Sequence, residues 1–114
     1  MAATVTLRSG LKMPLYGLGT WLSEDGSCTA AVLEAIRLGT RLIDTAQLYG
    51  NEAAVGAALS QCGVPRSELF VVTKLANEKH PDAVGALRES LAKLGLPYVD
   101  LYLMHSPAGK AVVE

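Results

Sequence analysis

No stretch of this chain comes near the roughly 20 consecutive apolar residues that a membrane span requires, although half of its residues are apolar. Met1-Ala2-Ala3-Thr4 begins no secretory signal, so the expected compartment is the cytoplasm and no membrane is expected as a partner. Charge of one sign is missing as well. Ten basic residues stand against 11 acidic ones, with a pI near 6.1, which leaves no electrostatic footprint for nucleic acid. Cysteine is scarce: Cys28 and Cys62 lie far apart and in no Cys-x-x-Cys, so two buried free thiols are expected rather than a redox pair or a metal site. Short repeats, low-complexity tracts and linkers are absent too, and the chain reads as belonging to one domain.

What is present is a set of short apolar runs that each stop on a polar residue. Leu42-Ile43 ends on Asp44, Leu69-Phe70-Val71-Val72-Thr73 ends on Lys74, and Val99-Asp100-Leu101-Tyr102-Leu103-Met104 ends on His105. Each run is preceded by a helical pattern. Strand and helix in alternation predict parallel pairing, with all C-terminal strand ends on one side.

In chain order, Thr4–Leu7 and Leu11–Met13 are expected to form a small hairpin, with Gly10 at the left-handed position of its loop. A first core strand is expected over Leu15–Leu18, interrupted by Gly17, where a missing side chain lets another backbone or a ligand approach. Ser23–Ser27 reads as a polar loop. The first helix is predicted from about Cys28 to Leu38 with Ala31, Val32 and Ala35 inward and Gly39 as its stop.

The second helix is predicted to open at Asn51-Glu52, the one as cap and the other as first-turn acid, and to bury Val55, Ala58, Leu59 and Cys62 while its other face meets solvent. Gly63 ends it and Pro65 prevents its continuation. The third begins at Pro81 and turns Val84, Leu87, Leu91 and Leu94 inward before Gly95, with Glu89 and Lys93 as a surface pair. Residues 107–114 read as a connection that reaches no fifth strand.

Neighbouring strands lie about 5 Å apart, so Asp44, Lys74 and His105 can converge with Tyr49 in the loop that follows Asp44. Taken singly, each has a plainer explanation: a turn residue, a solvated lysine, a structural histidine, an amphipathic tyrosine. Four of them at the ends of consecutive strands carry the argument for a site. Trp21 and the two cysteines lack such company and read as packing residues. Gly17-Leu18-Gly19 is no dinucleotide fingerprint, because Leu22 stands where the third glycine belongs.

Gly17-Leu18-Gly19-Thr20-Trp21, Asp44-Thr45-Ala46 with Tyr49 and Asn51-Glu52, Thr73-Lys74-Leu75, and Asp100-Leu101-Tyr102-Leu103 with His105 together resemble the aldo-keto reductases, from Met13 to Pro107. Within that family the pattern is similar to the prostaglandin F synthase and 2,5-diketo-gluconate reductase type. The resemblance implies an α/β fold of the TIM (β/α)8 type. A barrel of that kind takes about 250 residues, so the 114 residues would be its N-terminal half, the hairpin plus strands one to four and helices one to three.

It also implies reduction of aldehydes or ketones with NADPH, or alternatively NADH, and a small-molecule carbonyl substrate. Tyr49 would be the general acid, Lys74 would stabilise its phenolate, Asp44 would hold Lys74, and His105 would orient the carbonyl. Thr20, Trp21 and Asp44 would border the cofactor, and Trp21, Tyr49 and His105 the substrate. A complete family member would be a monomer, whereas this chain alone is expected to self-associate through open sheet edges.

Two positions depart from the family, which often has tryptophan where this chain has Ala76 and Ser106. Both remove aromatic bulk near the expected pocket and put substrate preference in question. An alternative reading is a catalytically inactive truncated product that acts at most as a binding or regulatory module.

Overall fold

The computed structural model describes residues 3–107. The expected connection over 107–114 lies almost wholly outside them. The chain opens with an antiparallel hairpin of β1 (Thr4–Thr6) and β2 (Lys12–Pro14), in which Val5 faces Met13. Gly10 takes φ 92° in its loop, a conformation that glycine adopts without steric cost.

Four parallel strands follow in the spatial order β3 (Leu18–Gly19), β4 (Leu42–Asp44), β5 (Phe70–Leu75) and β6 (Leu101–Met104). The helices α1 (Asp25–Arg37), α2 (Glu52–Gln61) and α3 (Ala83–Leu94) connect them. Sequence order equals spatial order, so every C-terminal strand end lies along one rim.

Strand periodicity divides the side chains between two faces. Ile43 and Val71 turn toward the helices and join Cys28, Val32 and Ile36 of α1, Val55, Ala58 and Leu59 of α2 and Leu94 of α3 in the main core. Leu42, Phe70 and Val72 turn the other way and pack with Leu7 and Met13 of the hairpin and with Leu101. Asp44 and Lys74 share the parity of this second set. Both therefore face the inner side of the sheet, one step beyond its apolar residues.

Several expectations require correction. The strand predicted over Leu15–Leu18 is only Leu18–Gly19, because Leu15 N–H donates to Ala3 O and extends the hairpin instead; Leu15 and Tyr16 are exposed. Gly17 does mark a close backbone approach: a Cβ there would lie 2.5 Å from Leu42 O. Helix α1 begins three residues early, at Asp25, whose carboxylate suits the positive end of the helix. Its buried stripe is Cys28, Val32 and Ile36, and Ala31 is exposed.

Helix α2 is not open to solvent on its second face. It lies between α1 and α3, with Gly56 packed against the end of α3. A Cβ on Gly56 would sit 2.6 Å from Leu94 O and 2.8 Å from Lys93 O, both backbone atoms. Gly56→Ala, normally favourable in a helix, is therefore expected to destabilise the fold by about 1–3 kcal/mol through overpacking, read as a lower urea midpoint.

In α3 the buried residues are Ala86, Ser90 and Leu94; Val84 is exposed, and Leu87 and Leu91 are half-buried. The helix starts at Ala83 after a 3-10 segment over Asn77–Asp82 that contains Pro81, and Asp82 caps it by accepting from Gly85 N–H at 3.0 Å. Glu89 does not pair with Lys93. It accepts from Gln47 Nε2 at 3.0 Å and lies 3.9 Å from Lys79.

Cys28 is fully buried, and burial pushes its thiol above the ordinary range, opposed by a hydrogen bond with Ser23 and reinforced by the charge of Asp25. Cys62 is only half-buried, so the expectation of two buried thiols holds for Cys28 alone. Iodoacetamide at neutral pH is expected to label Cys62 in the folded protein and Cys28 only as the fold opens, a difference that peptide mass spectrometry reads directly. Among the described residues no helix is long and apolar enough to cross a membrane, and no three His, Cys, Asp or Glu side chains are gathered as a metal site.

Candidate active site

The strand ends bring Asp44, Lys74 and Tyr49 into direct contact. Lys74 Nζ donates to Asp44 Oδ1 at 2.5 Å, to the Thr45 carbonyl oxygen at 3.1 Å and toward Tyr49 Oη at 3.3 Å. An ammonium has three hydrogens, and all three are directed at these acceptors. The Lys74 side chain is 14% exposed and that of Asp44 is 40% exposed, so the pair sits at the edge of the solvent rather than inside the core.

Tyr49 reaches this position from a 3-10 turn over Gln47–Tyr49 that Gly50 terminates at φ 71°. The turn is fastened from outside through Gln47 and Glu89 of α3. His105 arrives from the end of β6, held by its own N–H donating to Leu75 O at 3.0 Å. Its ring meets that of Tyr49 edge-on, with centroids 5.7 Å apart and an interplanar angle of 86°. Among the described residues His105 Nδ1 is buried without a hydrogen-bond partner.

Thr20 and Trp21 stand differently. Thr20 is buried, with its N–H donating to Asp44 O at 3.0 Å, which docks the turn after β3 onto the end of β4. Trp21 is 69% exposed, so packing does not account for it. The next residue, Leu22, is also exposed and has φ 63°, the one positive φ among the described non-glycine residues. Of the two positions that depart from the family, Ala76 is buried, and Ser106 Oγ donates to Asn77 Oδ1 at 2.9 Å, tying the His105 segment to the loop after β5.

The sequence model of the Aldo/keto reductase family matches residues 16–114. The chain belongs to the aldo-keto reductase family. It is 52% identical over 113 residues to mouse aldo-keto reductase family 1 member A1, covering 93% of this chain and 35% of that protein. It is 51% identical over 104 residues to the glycerol 2-dehydrogenase (NADP(+)) of Saccharomyces cerevisiae, covering 91% of this chain and 33% of that one.

Among solved structures, an aldo/keto reductase from Brucella melitensis superposes with a TM-score of 0.91 at 41% identity, over 96% of this chain and 42% of that chain. The Bombyx mori aldo-keto reductase in complex with NADP superposes with a TM-score of 0.86 at 44% identity, over 93% of this chain and 38% of that chain. These aldo-keto reductases are (β/α)8 barrels, and the four parallel strands here correspond to their N-terminal half. The chain thus spans about a third of the length of these curated relatives.

Sequence reasoning missed the polar residues that fasten the site rather than form it. Asn51 reads as a helix cap, yet its side chain makes no cap hydrogen bond and is spent on Thr20, Ser23 and Thr45. Glu52, read as a first-turn acid, is 2% exposed and accepts from Thr73 Oγ1 at 2.7 Å. Burial raises the Tyr102 phenol above its ordinary range, and the charges of Glu52 and Glu89 push the same way. No spacing rule announces these contacts, because they join residues far apart in the chain.

Proposed function

We propose that this chain forms the N-terminal part of a single aldo-keto reductase domain and carries the proton-transfer groups for reducing an aldehyde or ketone to an alcohol. The observation that supports this reading is the ammonium of Lys74 set between a carboxylate and a phenol. The residues present fit a nicotinamide cofactor. Asp44 uses only Oδ1 on Lys74; among the described residues Oδ2 has no protein hydrogen bond and the side chain is well exposed, so it can accept from a ribose hydroxyl. The exposed Trp21 stands on the adjoining turn. Asp44 and Trp21 would hold the nicotinamide end, Thr20 being buried beneath them and fixing their turn rather than touching the cofactor, and NADPH bound there would supply the hydride.

The carbonyl carbon gains the hydride's electron pair and its oxygen becomes an alkoxide, which must receive a proton. Tyr49 gives that proton from Oη, and solvent returns one to the phenolate. A free phenol, with a pKa of about 10, does this poorly near neutrality; a cation at its oxygen stabilises the phenolate. Lys74 provides it, and Asp44 keeps Lys74 from swinging into water. His105, edge-on to Tyr49, orients the substrate oxygen, and Trp21 closes the substrate side. NADP is the cofactor named for the yeast relative and for the silkworm structure, which favours NADPH over NADH here.

The test is a fusion in which residues 1–107 are followed by the C-terminal part of the mouse relative. It is expected to consume NADPH with an aromatic aldehyde, seen as falling absorbance, and no consumption in a folded, NADPH-binding fusion would contradict the proposal. A second reading, a module without turnover, is favoured by the sheet itself, in which β3 and β6 are edges among the described residues. The 114-residue chain alone is accordingly expected to self-associate in sedimentation and to give no measurable turnover. A compact monomer, or carbonyl reduction by the chain alone, would count against that expectation.

A further inference from the structure

Asn51 stands at the cap of α2 but leaves the helix uncapped, although an asparagine there ordinarily accepts from the first turn. Its Oδ1 accepts from Thr45 Oγ1 at 3.0 Å; Thr20 Oγ1 lies 3.5 Å away, and its one hydrogen has a nearer acceptor in Asp44 O at 3.2 Å. Its Nδ2 donates to Thr20 O at 2.7 Å and to Ser23 O at 3.0 Å. Both amide hydrogens and one lone pair of the amide oxygen are thereby engaged. The amide cannot be turned over, because both carbonyl partners can only accept. Asn51, Thr45 and Thr20 are each 1% exposed or less, and breaking hydrogen bonds in such a setting is costly.

The partners belong to separate loops. Thr20 and Ser23 bound the turn that presents Trp21 and holds Leu22 at φ 63°, a conformation a non-glycine residue keeps only when its surroundings impose it. Thr45 directly follows Asp44, and its carbonyl oxygen is one of the three acceptors of Lys74. Tyr49 lies two residues before Asn51, across Gly50.

We infer that Asn51 is a positioning residue: it clamps the Trp21 turn, the Asp44–Thr45 strand end and the Tyr49 turn to one another, fixing both the Tyr49–Lys74–Asp44 spacing and the direction of Trp21. The mechanical part of this inference stands on the hydrogen bonds alone; its catalytic part rests on the function proposed above. Loss of a small alignment of this kind costs rate without requiring loss of fold.

Trp21 is the single tryptophan of the chain, so its fluorescence reports the turn directly. In the 114-residue chain, Asn51→Ala is expected to increase the fast local component of the Trp21 anisotropy decay while the helical circular dichroism is kept. Should that variant not fold, Thr45→Val, which removes one hydrogen bond and keeps the shape, carries the same test. An unchanged fast component in the folded variant overturns the clamp.

In the fusion with the mouse relative, Thr45→Val is expected to lower kcat about tenfold, and Thr45→Ser to restore it. If Tyr49→Phe abolishes turnover while Thr45→Val and Asn51→Ala keep the parent kcat, the positioning role is wrong and the reading of Tyr49, Lys74, Asp44 and His105 as a catalytic tetrad survives. If Tyr49→Phe itself keeps its turnover, the tetrad reading fails, and the fluorescence result alone decides the clamp.

Discussion

Tyr49→Phe in the completed barrel is expected to lower turnover by about a hundredfold or more, the usual scale for losing a positioned general acid. The substitution removes one oxygen and keeps the ring, so the edge-on contact with His105 at 5.7 Å between centroids remains available. Lys74 loses only its longest contact, the one at 3.3 Å, and keeps Asp44 and the Thr45 carbonyl. Cofactor affinity is therefore expected to change little, since the proposed cofactor contacts come from Trp21 and Asp44. Steady-state rates with an aromatic aldehyde, together with a fluorescence titration of NADPH, separate the two quantities. A parallel loss of affinity and rate would mean that Tyr49 supports the fold of the site rather than its chemistry.

Lys74→Met is expected to have an effect of similar size, about a hundredfold, the scale for removing one group that stabilises charge in the transition state. Methionine preserves the apolar stem of the lysine, which is the part that passes through the inner face of the sheet. What disappears is the cation between Asp44 and Tyr49. Asp44 is then left without its partner, but its side chain is 40% exposed and water takes over the solvation. The stability cost is accordingly about 1–2 kcal/mol, the scale of hydrogen bonds to a charged group in a partly buried setting, and thermal melting is expected to show a folded protein with a modestly lowered midpoint. Lys74→Arg is a poor rescue, because a planar guanidinium cannot direct three hydrogens at the three acceptors that the ammonium serves.

The rim of strand ends was legible in the sequence because it follows from period and order. Leu42-Ile43, Leu69–Thr73 and Val99–Met104 alternate with helical stretches, parallel pairing follows, and the residues just past each run must lie along one edge. Side-chain parity then sends Asp44 and Lys74 to the same face. Apolar spacing was less reliable where packing partners are close. Val84 fits a helical stripe yet is exposed, because α3 approaches its neighbours through Ala86, Ser90 and Leu94.

Leu15 looks like a core residue and is drawn into the hairpin by one backbone hydrogen bond to Ala3. Gly56 gave no local signal, since its reason is the backbone of α3 nearly forty positions away. Asn51 was misread for the same cause. A residue suited to a cap was the local solution, and a network reaching Thr20, more than thirty positions back, took its side chain instead.

The measurement that bears most directly on the central claim is the double-mutant cycle of Tyr49→Phe and Lys74→Met in the completed barrel. If the phenol and the ammonium act as one proton-transfer unit, disabling either disables the unit, and the double variant is expected to turn over within about threefold of the worse single variant. If the two losses multiply instead, Tyr49 and Lys74 act independently, and the role assigned to the ammonium between Asp44 and Tyr49 is wrong.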